Sequence, residues 1–177
     1  ERGFWRNGGG PEGSVEYGDL TSSRLILTLL SQVAELEATL YHIGSTSVPG
    51  LAAKPLIDML LEVNSIALLD TQREAMATLG YSAKGEFGIA GRRYFTKGGD
   101  QRSHHLHAFQ RGDDHIQRHL AFRDYLIAHP DLAAQYADVK RNAAAHCNNE
   151  SEQYMALKND FIKDLVSKYF VILERNR

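Results

Sequence analysis

The sequence predicts an α+β fold: a mixed β-sheet with flanking helices, followed by a C-terminal helical bundle. Three observations carry this. Leu56 to Val63 (LIDMLLEV) is a short, nearly continuous apolar run after a Gly- and Pro-punctuated connector, the pattern of a strand buried on both faces. Arg92 to Lys97 and His104 to Gln110 read as strands around Gly98-Gly99-Asp100, as the arms of an antiparallel hairpin do. From His115 onward the apolar spacing changes to 3.6 residues and stays so.

Taken in order, residues 1–18 hold Gly8-Gly9-Gly10-Pro11 and no periodic pattern, so they read as a loose N-terminal arm that Phe4 and Trp5 can pin to a core. Residues 19–177 read as one domain, with an α/β core over 19–112 and a helical part over 113–177. A helix is expected from Asp19 to about Thr39, with Thr21, Ser22 and Ser23 as N-cap choices and Leu25, Leu29, Val33 and Leu36 at helical spacing. Leu40 to Ile43 is then a short strand entering the Gly44-Ser45-Thr46-Ser47 turn. After the Leu56–Val63 strand, Ile66 to Leu79 reads as a helix stopped by Gly80, and Tyr81 to Lys84 as a short strand. The helical part comprises His115 to Ala128, a helix opened by Pro130, and a last helix bearing Leu157, Phe161, Leu165 and Tyr169, with Asn149 and Glu152 at its start.

Composition narrows the functional classes. A chain of 177 residues buries roughly 70% of its unfolded surface and needs no covalent staples. A net charge of −2 argues against non-specific binding to nucleic acid or an anionic membrane. The single cysteine, Cys147, forbids an internal disulfide, no apolar run approaches a membrane span and no signal peptide is visible, so a cytoplasmic location is expected. Charge is uneven, however. Arg92, Arg93, Lys97, Arg102 and Arg111 face one acid, Asp100, in a stretch that also holds His104, His105 and His107.

Several groups could carry chemistry. The hydroxyl-rich turn at Gly44, Ser45 and Ser47 can offer N–H and O–H groups to phosphate oxygens. Asp58 can hold a divalent cation, Mg²⁺ or Mn²⁺, against them, or act as a structural acceptor for the turn. Glu62 shares its strand face, but lies about 13 Å along the strand, too far for one ion to bridge. His105 and His107 project to one face of their strand and make half a metal site, which Asp58 completes if the strands are neighbours; otherwise they are a hydrogen-bonded pair on a sheet. Arg93, Phe95 and Lys97 share one face of their strand and Arg92, Tyr94 and Thr96 the other; one set faces a ligand or solvent. His119, Arg123 and Asp124 form a patch in the helical part, and Tyr154 and Lys158 share a helix face. No Walker A loop, dinucleotide glycine fingerprint, zinc-finger spacing or nucleophile elbow occurs, and His146 beside Cys147 points away from it on a helix.

The segments His42 to Pro55 (HIGSTSVPGLAAKP) and Ile57-Asp58, then Leu79-Gly80-Tyr81, Arg93-Tyr94-Phe95, His105-Leu106-His107, His119 to Leu126 (HLAFRDYL), Tyr136 with Lys140, and Tyr154 with Lys158 and Phe161, together resemble the GrpB family over roughly residues 41–166. The hydrophobic residue before Gly-Ser, with an Asp on a later strand, is similar to the nucleotidyltransferase signature, although the usual second acid is replaced by Leu60. The resemblance implies a nucleotidyltransferase-like fold and a site drawn from His42, Gly44, Ser45, Ser47, Lys54, Asp58, Arg93, His105, His107, Arg123, Lys140, Tyr154 and Lys158. Asp58, His105 and His107 are the candidates for catalysis and metal binding. The family also occurs fused to dephospho-CoA kinase, where a folding-accessory role is implied. Three readings follow: a pocket for a nucleotide or other phosphorylated small molecule with a divalent metal, an active divergent nucleotidyltransferase, and a non-catalytic accessory module.

Overall fold

The computed structural model describes residues 6–7, 23–146, 156 and 158–168. The chain divides into two compact units, one ending at His119 and one beginning at Leu120.

The first unit is built on a five-stranded mixed sheet. Its strands are β2 (Ala38–Ile43), β4 (Ile57–Val63), β5 (Tyr81–Ala83), β6 (Arg93–Lys97) and β7 (His104–Gln110). Their order is β2-β4-β7-β6-β5. β4 and β7 run parallel, and the remaining neighbours are antiparallel. β4 is central, as its apolar run demands: Met59, Leu60, Leu61 and Val63 are all fully buried, while Asp58 and Glu62 are half-buried. The hairpin β6–β7 is as expected, and β7 has the expected bounds.

Helices cover one face of this sheet. They are α1 (residues 23–30), α2 (Ile66–Asp70) and α3 (Arg73–Thr78). Ile26 and Leu30 from α1, Leu69 from α2 and Met76 from α3 pack on Met59, Leu61, Val63, Leu106, Ala108 and Phe95. Each such fully buried side chain contributes roughly 1.5–3 kcal/mol of transfer free energy. The period of two in β4 and β7 sends Asp58, His105 and His107 to the other face.

Two expected helices are corrected. The first does not reach Thr39 but ends at residue 30, and Thr39 lies in β2. Val33 and Leu36 still face the core, so their spacing reported burial rather than helicity. A tertiary clamp sets the conformation. Asn64, just after β4, donates to the Glu35 carbonyl (2.8 Å) and accepts from the Glu37 N–H (2.9 Å), while Glu35 takes a left-handed φ of 65°. The expected Ile66–Leu79 helix is two. Ser65 caps the first by accepting from the Leu68 N–H (3.2 Å), and Thr71 Oγ1 donates to the Leu68 carbonyl (2.7 Å), a local bond that competes with helix propagation. Gly80 follows the second with φ 85°, the conformation expected of a glycine stop.

Within the arm, Arg6–Asn7 forms β1, paired antiparallel with β3 (Ala52–Ala53); the remainder of residues 1–18, with Phe4 and Trp5, lies outside the described residues. Helix α4 (Asp114–Ala128) carries the boundary between the units. The second unit continues with α5, which starts at Pro130 as expected (Pro130–His146), and α6 (residues 158–168). Its apolar contacts include Tyr136 stacked on Phe161 at 5.3 Å and edge-on to Phe122 at 5.3 Å. The expected cap at Asn149 and Glu152 lies outside the described residues. Among the described residues no helix is long and apolar enough to cross a membrane.

Candidate functional site

The face of the sheet opposite α1–α3 gathers chemistry through strand register. Asp58 pairs with His105 and Leu60 with His107 across the parallel β4–β7 ladder; His107 pairs with Tyr94 across β6–β7. Residues paired in this way share a face. Asp58 Oδ1 lies 3.2 Å from His105 Nδ1 and 4.0 Å from His107 Nε2. One ligand atom from each of the three residues falls within 4.8 Å of the others.

Hydrogen-bond chemistry assigns the protons. A guanidinium can only donate, and Arg92 Nη1 lies 3.3 Å from His107 Nδ1. That nitrogen therefore accepts, and the ring proton sits on Nε2, directed at Asp58. Burial takes His107 down to about 3, aided by nearby His119. At neutral pH it is an uncharged imidazole. His119, from α4, has its ring 5.3 Å from that of His107, and burial takes it down to about 4. His105 Nδ1 is within hydrogen-bond distance of Asp58 Oδ1 (3.2 Å), and its Nε2 is buried without a hydrogen-bond partner among the described residues.

The Gly44 turn sits directly on the carboxylate. Gly44 has φ 72° and ψ −167°, a region essentially confined to glycine, and a Cβ there would lie 2.8 Å from Asp58 Oδ2. Ser45–Ser47 continues as one 3₁₀ turn, closed by Ser47 Oγ donating to the Gly44 carbonyl (2.6 Å).

Of the residues expected at the site, Asp58, His105, His107 and Gly44 come together, with Ser45 and Ser47 in the adjoining turn. His42 alternates to the helix-covered face, opposite Met59, with Nε2 2.9 Å from Thr46 Oγ1. Lys54 is half-buried in the connector after β3. Arg93 also points to the helix-covered side, where Nε and Nη2 grip Asp70 at 2.7 and 2.8 Å. The site face takes Arg92 instead. Arg123, Lys140 and Lys158 belong to the second unit: Arg123 Nε donates to Asp124 (2.7 Å), and the Lys140 ammonium lies 4.8 Å from the Tyr136 ring centroid. Burial, with Lys158 and Arg141 nearby, takes Lys140 down to about 8. Tyr154 lies outside the described residues.

Three contributors stand outside the expected site set: Arg92 and Tyr94, read as one of two possible strand faces, and His119, read as part of a patch with Arg123 and Asp124. The Arg92/Tyr94/Thr96 face was one of two equivalent choices, and only the pairing of Tyr94 with His107 decides it. His119 needed the position of α4. Two of the five cations of the Arg92–Arg111 stretch meet acids outside it: Arg93 meets Asp70, and Arg111 meets Glu37 (2.9 Å) and Glu62 (3.3 Å).

Comparison with known proteins is consistent across sequence and structure. A family model described as GrpB protein matches residues 21–168. The UPF0157 protein YqkA of Bacillus subtilis is 52% identical over 124 residues, covering 70% of this chain but only 36% of its own length. The chain thus spans about a third of that relative. A dephospho-CoA kinase of Mycolicibacterium paratuberculosis is 29% identical over 148 residues, again 70% of this chain and 36% of that protein. The crystal structure of the conserved protein GrpB from Enterococcus faecalis superposes with a TM-score of 0.80 and 34% identity, covering 94% of this chain and 99% of that one. A distant likeness of fold alone extends to Cid1 in complex with the UTP analogue UMPNPP, at a TM-score of 0.43 and 16% identity over 73% of this chain and 40% of that chain.

Proposed function

Since this chain belongs to the GrpB family, we propose that its first unit binds a phosphorylated small molecule, such as a nucleotide, through a divalent cation held by Asp58, His105 and His107. One observation carries the reading: a carboxylate and two imidazoles converge from adjacent parallel strands, with ligand atoms within 4.8 Å of one another. One acid beside a neutral imidazole attracts a cation; it does not bind a phosphate unaided. The phosphate is held second, by the cation and by the Ser45–Ser47 turn next to Asp58.

The donor set fits such an ion. The 3.2 Å between Asp58 Oδ1 and His105 Nδ1 suits two adjacent ligands on one metal at roughly 2.1 Å each. Two nitrogen donors favour Mn²⁺, Fe²⁺ or Zn²⁺ over Mg²⁺, which prefers an all-oxygen shell. Arg92 opposes the ion. Metal on His107 Nε2 moves the ring proton to Nδ1, which then faces the Arg92 donor, so Arg92 weakens the hold of His107 on the ion. When bound, the cation supplies charge neutralisation for phosphate oxygens.

Binding rather than two-metal transfer is the better-supported activity. The position that would carry a second acid is Leu60, fully buried, and Glu62 is engaged by Arg111 (3.3 Å) and Tyr41 (3.4 Å). The test is calorimetric titration of Mn²⁺, Zn²⁺ and Mg²⁺, then of nucleotides and phosphate esters with each metal, into wild type and the His105→Ala/His107→Ala double variant. Saturable binding of Mn²⁺ or Zn²⁺ with stronger phosphate-ligand binding in its presence, both lost in the variant, is the expected result. No metal binding by the wild type would sink the proposal.

A further inference from the structure

Resting on that reading, we infer that Phe87 and Tyr94 form a stacking platform for the planar base of a nucleotide whose phosphates reach the Asp58 cluster. The inference starts from an aromatic side chain in the wrong place for stability. Phe87 is 64% exposed, and it adopts φ 47°, a left-handed conformation that bulky residues rarely take. Burial gives little back for that backbone strain. Strain of this kind persists where the surroundings over-determine it.

The surroundings do so here. Arg92 Nη2 donates to the Phe87 carbonyl (2.6 Å) and Nε to the Glu86 carbonyl (3.1 Å). Glu86 Oε1 accepts from the Gly91 N–H (2.8 Å), closing the loop on itself. The same guanidinium reaches His107, so one side chain joins the loop to the site. The Phe87 ring is therefore held outward in a set orientation.

Its neighbours point to the ligand. Phe87 stacks on Tyr94 with centroids 5.2 Å apart and planes inclined by 22°. Tyr94 in turn touches His107 (5.1 Å) and His105 (5.5 Å). An exposed ring thus lies two ring contacts, of 5.2 and 5.1 Å between centroids, from the proposed cation ligand His107, within the reach of one nucleotide. A π-face offered to solvent binds any planar base without hydrogen-bond readout, so the platform favours nucleotides over sugar phosphates and does not choose among bases.

Titration of the 177-residue chain in Mn²⁺ tests this with tripolyphosphate, ATP, UTP, adenosine and uridine, using wild type, Phe87→Ala and Phe87→Trp. The nucleoside triphosphates should bind roughly tenfold or more tighter than tripolyphosphate. Phe87→Ala should erase that difference and leave tripolyphosphate unchanged, and Phe87→Trp should restore it. If tripolyphosphate binds but Phe87→Ala leaves the triphosphates untouched, or weakens tripolyphosphate equally, the platform is refuted and the cation pocket stands. If only nucleosides bind, in a Phe87-dependent way, the platform stands and the phosphate reading falls. Binding of none of the five overturns both.

Discussion

Replacing Gly44 by alanine tests whether the turn is seated on the Asp58 carboxylate. Two costs can be worked from the geometry. At φ 72° and ψ −167° any Cβ strains the backbone by about 1–3 kcal/mol. The same Cβ would also lie 2.8 Å from Asp58 Oδ2, 3.1 Å from its Cβ and 3.3 Å from Cγ, so the carboxylate must move; forced overpacking of this kind costs about 1–3 kcal/mol. The sum is about 2–6 kcal/mol of lost stability. A double-mutant cycle separates the two. In an Asp58→Ala background Oδ2 and Cγ are gone, and only the backbone cost and the 3.1 Å approach to the residue 58 Cβ remain, so Gly44→Ala should be milder there by up to about 1–3 kcal/mol. Urea denaturation of the four proteins in EDTA measures the coupling. A coupling indistinguishable from zero would refute the contact between turn and carboxylate. A harmless Gly44→Ala in the wild-type background would refute the backbone argument as well.

Other outcomes follow from the same geometry. Asp58→Asn keeps an oxygen acceptor for the His105 Nδ1–H, so in EDTA its unfolding free energy should stay within about 1 kcal/mol of wild type, while calorimetry should find the metal response gone; a persisting response would remove Asp58 from the ligand set. The acid limb of stability should carry two histidines. His107 and His119 are held near 3 and 4 when folded but titrate near 6.5 when unfolded, so the unfolded chain binds more protons between these values, and the stability present above pH 6.5 is lost as pH falls below it. Each contributes about 1.4 kcal/mol per pH unit, and His119→Asn should roughly halve that part of the slope between pH 6.5 and 5 in metal-free denaturation; an unaltered slope would contradict its burial as a neutral ring. Arg93→Ala should cost about 1–3 kcal/mol by removing two charge-assisted hydrogen bonds from Asp70, which among the described residues keeps only Arg73 at 3.5 Å, without changing metal affinity, which a titration of the variant checks. Arg92→Met removes the donor that opposes metal on His107, and Mn²⁺ should bind about tenfold tighter; weaker binding would show that His107 is not a ligand.

Local pattern determined much of this protein. The apolar run at Leu56–Val63 could only be a central strand, and the alternation at His104–Gln110 set that strand's bounds and placed His105 and His107 on one face. Pro130 and Gly80 marked helix ends for reasons of backbone chemistry that act at the residue itself. The family could be read from strings such as HIGSTSVPGLAAKP, because they hold a turn whose backbone tolerates few alternatives.

What the tertiary structure decided was partnership. Periodicity says that a residue faces the core, not what conformation brings it there, so Val33 and Leu36 were assigned to a helix although a clamp from Asn64, 29 residues beyond Glu35, turns that segment into a loop. Both faces of β6 were chemically plausible, and only its register beside β7 turned Arg92 and Tyr94 to the site and Arg93 to Asp70. The meeting of Asp58 with His105 across 47 positions is a parallel-strand contact, made through a crossover that no local spacing encodes. Side-chain chemistry was legible in the sequence because it belongs to single residues; the site was legible only in part, with Asp58, His105 and His107 named and Arg92, Tyr94 and His119 left out, because its membership is fixed only where separate strands are brought into register.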